Sequence, residues 1–227
     1  MSDFFVVYGL TIISLVITLC AQLFVNVSYK RYKKVNNEKG ITGSEAARRI
    51  LDKNGLSSVS VVETHGYLSD HYDPRSKVVR LSSDIYRGTS VAGISVAAHE
   101  CGHAIQDKDG YLFMKIRASL VPLVNFSSYA GYLAVVIGLM FGLLNLIWLG
   151  ILLEVVILVF QVITLPVEIN ASSRALKLIK EYDFFNNKEL RQGKTMLKAA
   201  AMTYVASVAT TLLQILRLIL MIGRRND

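Results

Sequence analysis

No charged side chain occurs from Phe4 to Tyr29, a run of 26 residues, and between Arg117 and Glu168 the only acid or base is Glu154. Few constraints on a fold are stronger. A helix rising about 1.5 Å per residue needs about 20 apolar residues to cross a hydrocarbon core of about 30 Å. Phe4–Val27 therefore supplies one span, and 118–167 has room for two, turning near Leu143–Asn145. Ala199–Ile222 is a fourth candidate, diluted by Thr203, Ser207, Thr210, Thr211 and Gln214, with Arg217 close enough to its end to snorkel. The first run has no basic leading region and no small-residue cleavage site, so it reads as a retained anchor rather than a cleaved signal.

The charges between these runs give them a direction. Residues 28–118 carry 15 of the 25 Lys+Arg and residues 168–198 carry 7, so 22 fall on one side if 118–167 is a hairpin. Asp3 precedes the first span while Lys30, Arg31, Lys33 and Lys34 follow it. The positive-inside rule then puts the polar segments in the cytoplasm. Arg224-Arg225 would break the rule if the last helix crosses and would obey it if that helix lies along the interface. The net charge of +8 fits loops facing anionic lipid. No compact basic face with interleaved aromatics is present, so nucleic acid is not expected as a partner. Cys20 and Cys101 have no plausible disulfide partner in each other, which suits a reducing side.

The polar middle reads as a small α+β region. Thr42-Gly-Ser-Glu45 has capping-box spacing and predicts a short helix over about 43–54, stopped at Asn54-Gly55. Val59–Glu63 and Lys77–Leu81 are short β-branched runs separated by the turn-like Asp70–Arg75, and they predict a hairpin or a three-stranded sheet. An exposed edge of such a sheet would suit an extended peptide.

Next comes His99-Glu100-Cys101-Gly102-His103 in an Ala/Val-rich run. On a helix, residues four apart project together, so both imidazoles can meet one Zn²⁺ while Glu100 reaches the water it activates. Cys101 points away and packs. A catalytic zinc site takes a third protein ligand. A histidine six residues after His103 is excluded, because Asp109 stands there. Asp107, Asp109, His65, His71, Glu154 and Glu168 are the candidates. Asp107 and Asp109 follow the helix too closely, Glu154 lies mid-span, and Glu168 is best placed, where Pro166 begins a new helical turn as the third span returns to the surface carrying the motif.

The segments Leu68–Arg75, Val79–Ser82, Val96–Gln106 and Leu165–Arg174 together resemble the bacterial YugP-like family of membrane neutral zinc metallopeptidases, and more distantly the HtpX-type membrane proteases. The resemblance implies a gluzincin-type site with His99, His103 and Glu168 on zinc and Glu100 as base. HtpX-type chains commonly carry an aspartate where Ser172 stands, leaving Asn170 and Ser172 as substitutes around the ligands. His71, Tyr72 and Arg174 are candidate donors to the developing oxyanion or to substrate.

The expectation is a mainly α membrane protein of about four transmembrane helices with a small α+β cytoplasmic zincin-like metallopeptidase portion. Its divisions are a 1–29 anchor, a 30–117 cytoplasmic region, a 118–167 transmembrane hairpin, a 168–198 cytoplasmic helix carrying Glu168, and a 199–227 transmembrane or interfacial helix. It would hold one Zn²⁺ per chain in a multi-pass bacterial cell-membrane protein, cleaving peptide or membrane-protein substrates at the cytoplasmic surface. The rival is a non-catalytic zinc-stabilised scaffold or adaptor, against which an intact Glu100 argues. A transporter built on Glu154 lacks repeated halves.

Overall fold

The computed structural model describes residues 2–66 and 69–223, with side chains from Tyr8 onward. Asp3, Leu68 and Arg224-Arg225, used above for orientation or likeness, have no described side chains. The elements in order are α1 (Ser2–Tyr32), α2 (Gly43–Lys53), β1 (Ser60–Thr64), β2 (His71–Asp73), β3 (Val78–Ser82), α3 (Ser83–Arg87), α4 (Val91–Lys108), α5 (Leu112–Phe141), α6 (Leu144–Glu181) and α7 (Asn187–Gly223). Four of these helices, α1, α5, α6 and α7, are long and apolar enough to cross a membrane. The fold is mainly α with a small α+β portion.

Two compact units emerge, 1–22 with 116–165 and 202–227, and 23–115 with 166–201. In the first, large apolar side chains such as Ile12, Leu19, Phe126, Tyr132 and Leu152 stay exposed, as expected where the solvent is lipid. What they enclose is held by close backbone approach. A Cβ on Gly150 would stand 2.4 Å from the Val135 side chain, and one on Gly138 would stand 3.0 Å from the Ile147 backbone nitrogen. Small residues let α5 and α6 pack this tightly without polar groups. Ile147 and Ile151 then meet Leu218 and Ile222 of α7 in a small apolar core. The predicted hairpin turn falls at Gly142, whose φ of 70° suits glycine, and Leu143 N–H closes it on the Gly138 carbonyl.

The second unit has α4 at its centre. Of its residues, Val91–Ser95, Ala97, Ala98 and Glu100–Gln106 are buried. Ser90 caps its start by accepting from Gly93 N–H at 3.0 Å. α2 covers one face, where the Cys101 thiol approaches the Ala47 carbonyl at 3.6 Å. The predicted capping box is present: Glu45 N–H donates to Thr42 Oγ1 at 3.2 Å and Thr42 N–H donates to Glu45 Oε2 at 2.9 Å. Gly102 covers the opposite need. A Cβ there would lie 2.7 Å from the Ala171 carbonyl oxygen, so glycine is what lets α4 approach α6.

Of the hairpin or three-stranded sheet expected for the polar middle, the sheet is present, in the order β1-β3-β2, with β1 and β3 parallel and β2 antiparallel to β3. Three features differ from the sequence reading. His71–Asp73, inside the stretch expected to be a turn, is a strand, and the turn comes after it at a left-handed Lys77 (φ 54°). Pro166 does not begin a new segment, because α6 runs through it unbroken. Proline withholds only one N–H, the partner of the Val162 carbonyl, and its ring is tolerated when packing holds the rest of a long helix. The last break lies at Asp183 (φ 54°) rather than near 198, with Asn186 Oδ1 accepting from Lys188 and Glu189 N–H at 2.9 Å to start α7.

Candidate metal centre

α4 and α6 bring His99, His103 and Glu168 together, with one ligand atom from each lying within 4.8 Å of the others. His99 Nε2 is 3.2 Å and His103 Nε2 3.6 Å from Glu168 Oε2. The two rings stand edge to face, 4.7 Å between centroids and 84° between planes. In a tetrahedral zinc site with bonds of about 2.1 Å, neighbouring ligand atoms sit about 3.4 Å apart. The observed pair of distances brackets that edge, so the donor set fits zinc in kind and in spacing.

The outward ring nitrogens are fixed as a ligand pair requires. His103 Nδ1 faces Gln106 Oε1 at 3.0 Å, and Gln106 Nε2 donates to the Val167 carbonyl at 2.8 Å and to Asn170 Oδ1 at 3.0 Å. Because its amide donates at one end, Gln106 must accept at the other. His103 therefore carries its proton on Nδ1 and leaves the Nε2 lone pair for a metal. Ser172 Oγ lies 3.2 Å from His99 Nδ1 and can do the same there. Burial opposes protonation of His103, but the Glu168 hydrogen bond and the nearby Glu100 and Glu168 charges outweigh it, and its pKa is raised.

Glu100 is buried beside its ligand neighbour, and its Oε2 accepts Tyr72 N–H from β2 at 2.9 Å. The short strand thus aims a backbone donor at the candidate base. Asp70 pins the approach to β2 by accepting from Ser82 N–H at 2.7 Å; burial raises its pKa more than these bonds lower it.

The remaining predicted residues are placed elsewhere. The Tyr72 hydroxyl donates to Asp107 Oδ2 at 2.7 Å, and burial, then that bond, raises its pKa. Arg174 Nε donates to Asn170 Oδ1 at 2.8 Å, and its guanidinium pairs with Asp109. His71 is exposed, with Nδ1 on the Ser69 carbonyl at 2.8 Å. Asn170 touches Gln106 and Arg174, not a ligand. Of the six third-ligand candidates, Asp107 and Asp109 are held by Tyr72 and Arg174, and His65 and His71 are exposed. Gln106 escaped the sequence reading as a functional residue, although its place three after His103, on the same helix face, was the available signal. Cys101 packs as expected, its thiol pushed up by burial.

The family described as "Putative neutral zinc metallopeptidase" matches residues 7–223, nearly the whole chain. The chain belongs to that family. Membership in the neutral zinc metallopeptidases implies zinc, and among the described residues His99, His103 and Glu168 form the group that fits it. The chain is also similar to the protein named "Putative membrane protease YugP" of Bacillus subtilis (strain 168), with 46% identity over 218 residues, covering 96% of this chain and 97% of that relative. No solved structure matches. A membrane zinc metallopeptidase is thus the class supported by the family, the relative and the four apolar helices.

Proposed function

We propose that the chain is a membrane-embedded zinc metalloendopeptidase that hydrolyses peptide bonds near the cytoplasmic membrane surface. The observation that carries this reading is the convergence of two histidines and a buried glutamate on one point, beside a fourth group, Glu100, that is not needed as a ligand. A purely structural zinc would fill its fourth position from the protein. His99, His103 and Glu168 would hold the zinc, which would supply the Lewis acidity for acidifying water and polarising a carbonyl.

The chain's own residues do the rest. Gln106 and Ser172 hold the imidazoles in the tautomer that ligates. Glu100, oriented by Tyr72 N–H, takes a proton from the attacking water and hands it to the leaving amine. Of the three oxyanion candidates, His71 is the one whose exposed ring is open to substrate at Nε2; with Nδ1–H on the Ser69 carbonyl, that nitrogen donates to an oxyanion only when the ring is an imidazolium. The cytoplasmic placement rests on the 22 Lys+Arg in the two polar segments. Substrates are then peptide or membrane-protein segments at that surface, in a multi-pass protein of the bacterial cell membrane.

The test is elemental analysis of detergent-purified protein together with cleavage of a mixed peptide library. Wild type and Glu100→Gln are expected to hold one zinc per chain, Glu168→Ala much less, and only wild type to cleave. Full zinc in Glu168→Ala, or equal cleavage by Glu100→Gln, would overturn the assignment.

A further inference from the structure

The sheet has two edges, and they differ in what is left unbonded. At β2 the outward N–H, that of Tyr72, is taken by Glu100. At β1 nothing plays that part. Ser60 N–H donates to the Lys77 carbonyl at 3.2 Å, which makes Ser60, Val62 and Thr64 the residues bonded to β3 in the parallel register. Val61 and Glu63 therefore turn N–H and C=O the other way, where no group of the described residues bonds them. Natural edges are commonly blunted by proline, lysine or a bulge. β1 has neither residue, and its register with β3 runs unbroken from Ser60 to Thr64. Its one charge is engaged, because Arg87 Nη2 donates to Glu63 Oε2 at 2.7 Å.

Beside β1 lies a groove of about 610 Å³, lined by Glu45, Arg48 and Arg49 of α2, Val61 and Val62 of β1 and Tyr86 of α3. Successive strand side chains point to opposite faces, so a groove that touches both Val61 and Val62 meets the strand along its edge. No residue of β3 lines it. The volume falls within the range of about 300–1,000 Å³ usual for ligand sites. Of its charged side chains, Glu45 is engaged in the α2 capping box, and Arg48 on Asp52 and the Val59 and Leu56 carbonyls. Arg49 is exposed and acts on the Glu45 carboxyl one turn back through charge alone, without a hydrogen bond.

We propose that the free edge of β1 is a docking site for an extended, acidic peptide segment of a protein partner. The segment adds as a fourth strand by bonding Val61 and Glu63, and it sets a carboxylate against Arg49. Unbonded strand backbone calls for an extended chain, and the free guanidinium for an acid. With about 4.8 Å between strands, this edge lies about 10 Å across the sheet from β2, the edge at the candidate metal centre. It is a separate hold on the partner and does not rest on the peptidase reading.

Binding is measured by fluorescence anisotropy on the full chain in detergent, as Glu100→Gln so that no probe is cut. The probe is the labelled heptapeptide Thr-Val-Thr-Asp-Thr-Val-Thr, made unmodified, N-methylated at odd positions, or N-methylated at even positions. An added strand faces β1 with every second residue. One methylated form is therefore expected to bind about tenfold more weakly or worse, and the other to bind as the unmodified probe does. Equal loss or equal retention in both, or no saturable binding at all, would overturn strand addition. Arg49→Glu is expected to weaken the probe about tenfold, and replacing the probe's aspartate by lysine to restore it. No response to that exchange would overturn the acidic partner. Amide hydrogen exchange locates the probe without altering the edge: slowing is expected over 60–64 and not over 71–73. The reverse would move docking to the β2 edge and overturn the proposal. A concentration-dependent dimer that the probe disperses would overturn it too, by assigning the edge to a second copy of the chain. None of these readouts uses zinc or cleavage, so a failure here is distinct from a failure of the peptidase assignment.

Discussion

Gln106 ties a ligand to the helix that delivers the third one. Its amide accepts from His103 and donates to the Val167 carbonyl, next to Glu168 in the chain. Removing such an outer partner typically lowers metal affinity about 10–100-fold without unfolding the protein. Gln106→Leu is therefore expected to weaken zinc binding in a chelator competition, with Ser172→Ala weaker in the same direction through His99. Unchanged affinity in both would mean the ring tautomers are set by something else. At this scale the candidate ligands were legible from chemistry, because HExxH spacing and a carboxylate at the end of an apolar run each have a geometric reason. The Gln106 role was not, since a glutamine in a helix names no partner until α6 lies against it. Tyr72 misled for a related reason: its type suggests a hydroxyl donor, whereas its backbone N–H is what reaches Glu100.

Helix α4 is placed by contacts that a side chain would prevent. A methyl at position 102 would intrude on the Ala171 carbonyl at 2.7 Å. Gly102→Ala is expected to cost about 1–3 kcal/mol by overpacking. It should also lower zinc content while both histidines and Glu168 remain, measurable as metal per chain in the folded fraction. Normal zinc in that variant would mean the helices can separate without disturbing the site. At the start of α2, the Thr42 backbone N–H, above all, holds the Glu45 carboxyl below its ordinary 4.5. A lowered folded pKa gives stability that is present above the unfolded value and lost as pH falls through the folded one. The deficit in thermal midpoint of Glu45→Ala is accordingly expected at neutral pH and should shrink below about pH 4. A deficit that grows on acidification would contradict the sign. The α2 cap was readable because its four residues are contiguous. The strand β2 was not, since three residues flanked by Pro74 carry little propensity and are held by pairing with β3. Pro166 carried a local signal for a helix start that a long packed helix overrides.

For the whole molecule, the arrangement of charge predicts a direction that can be measured. Ser57→Cys lies in the basic polar region and Leu143→Cys at the turn between α5 and α6. In intact cells an impermeant thiol label is expected to reach Leu143→Cys and to reach Ser57→Cys only after permeabilisation. The reverse pattern would move the candidate site to the outer face and with it the class of peptides it meets. Three of the apolar helices were legible from long stretches almost free of charge, while the fourth, diluted by hydroxyls and carrying Arg217, was open between crossing and lying along the interface; the continuity of α7 into the polar segment was not legible, because no residue near 198 breaks it.

The ligands are also unevenly spaced in time. His99 and His103 leave the ribosome well before Glu168, and the residues made in between include all of α5 and most of the apolar part of α6. Until that hairpin has been synthesised and inserted, the growing chain has only two of its three ligands. On the proposed peptidase reading, hydrolytic competence is therefore withheld until the protein has reached its membrane, and a chain stalled on the way carries the motif without its third candidate ligand.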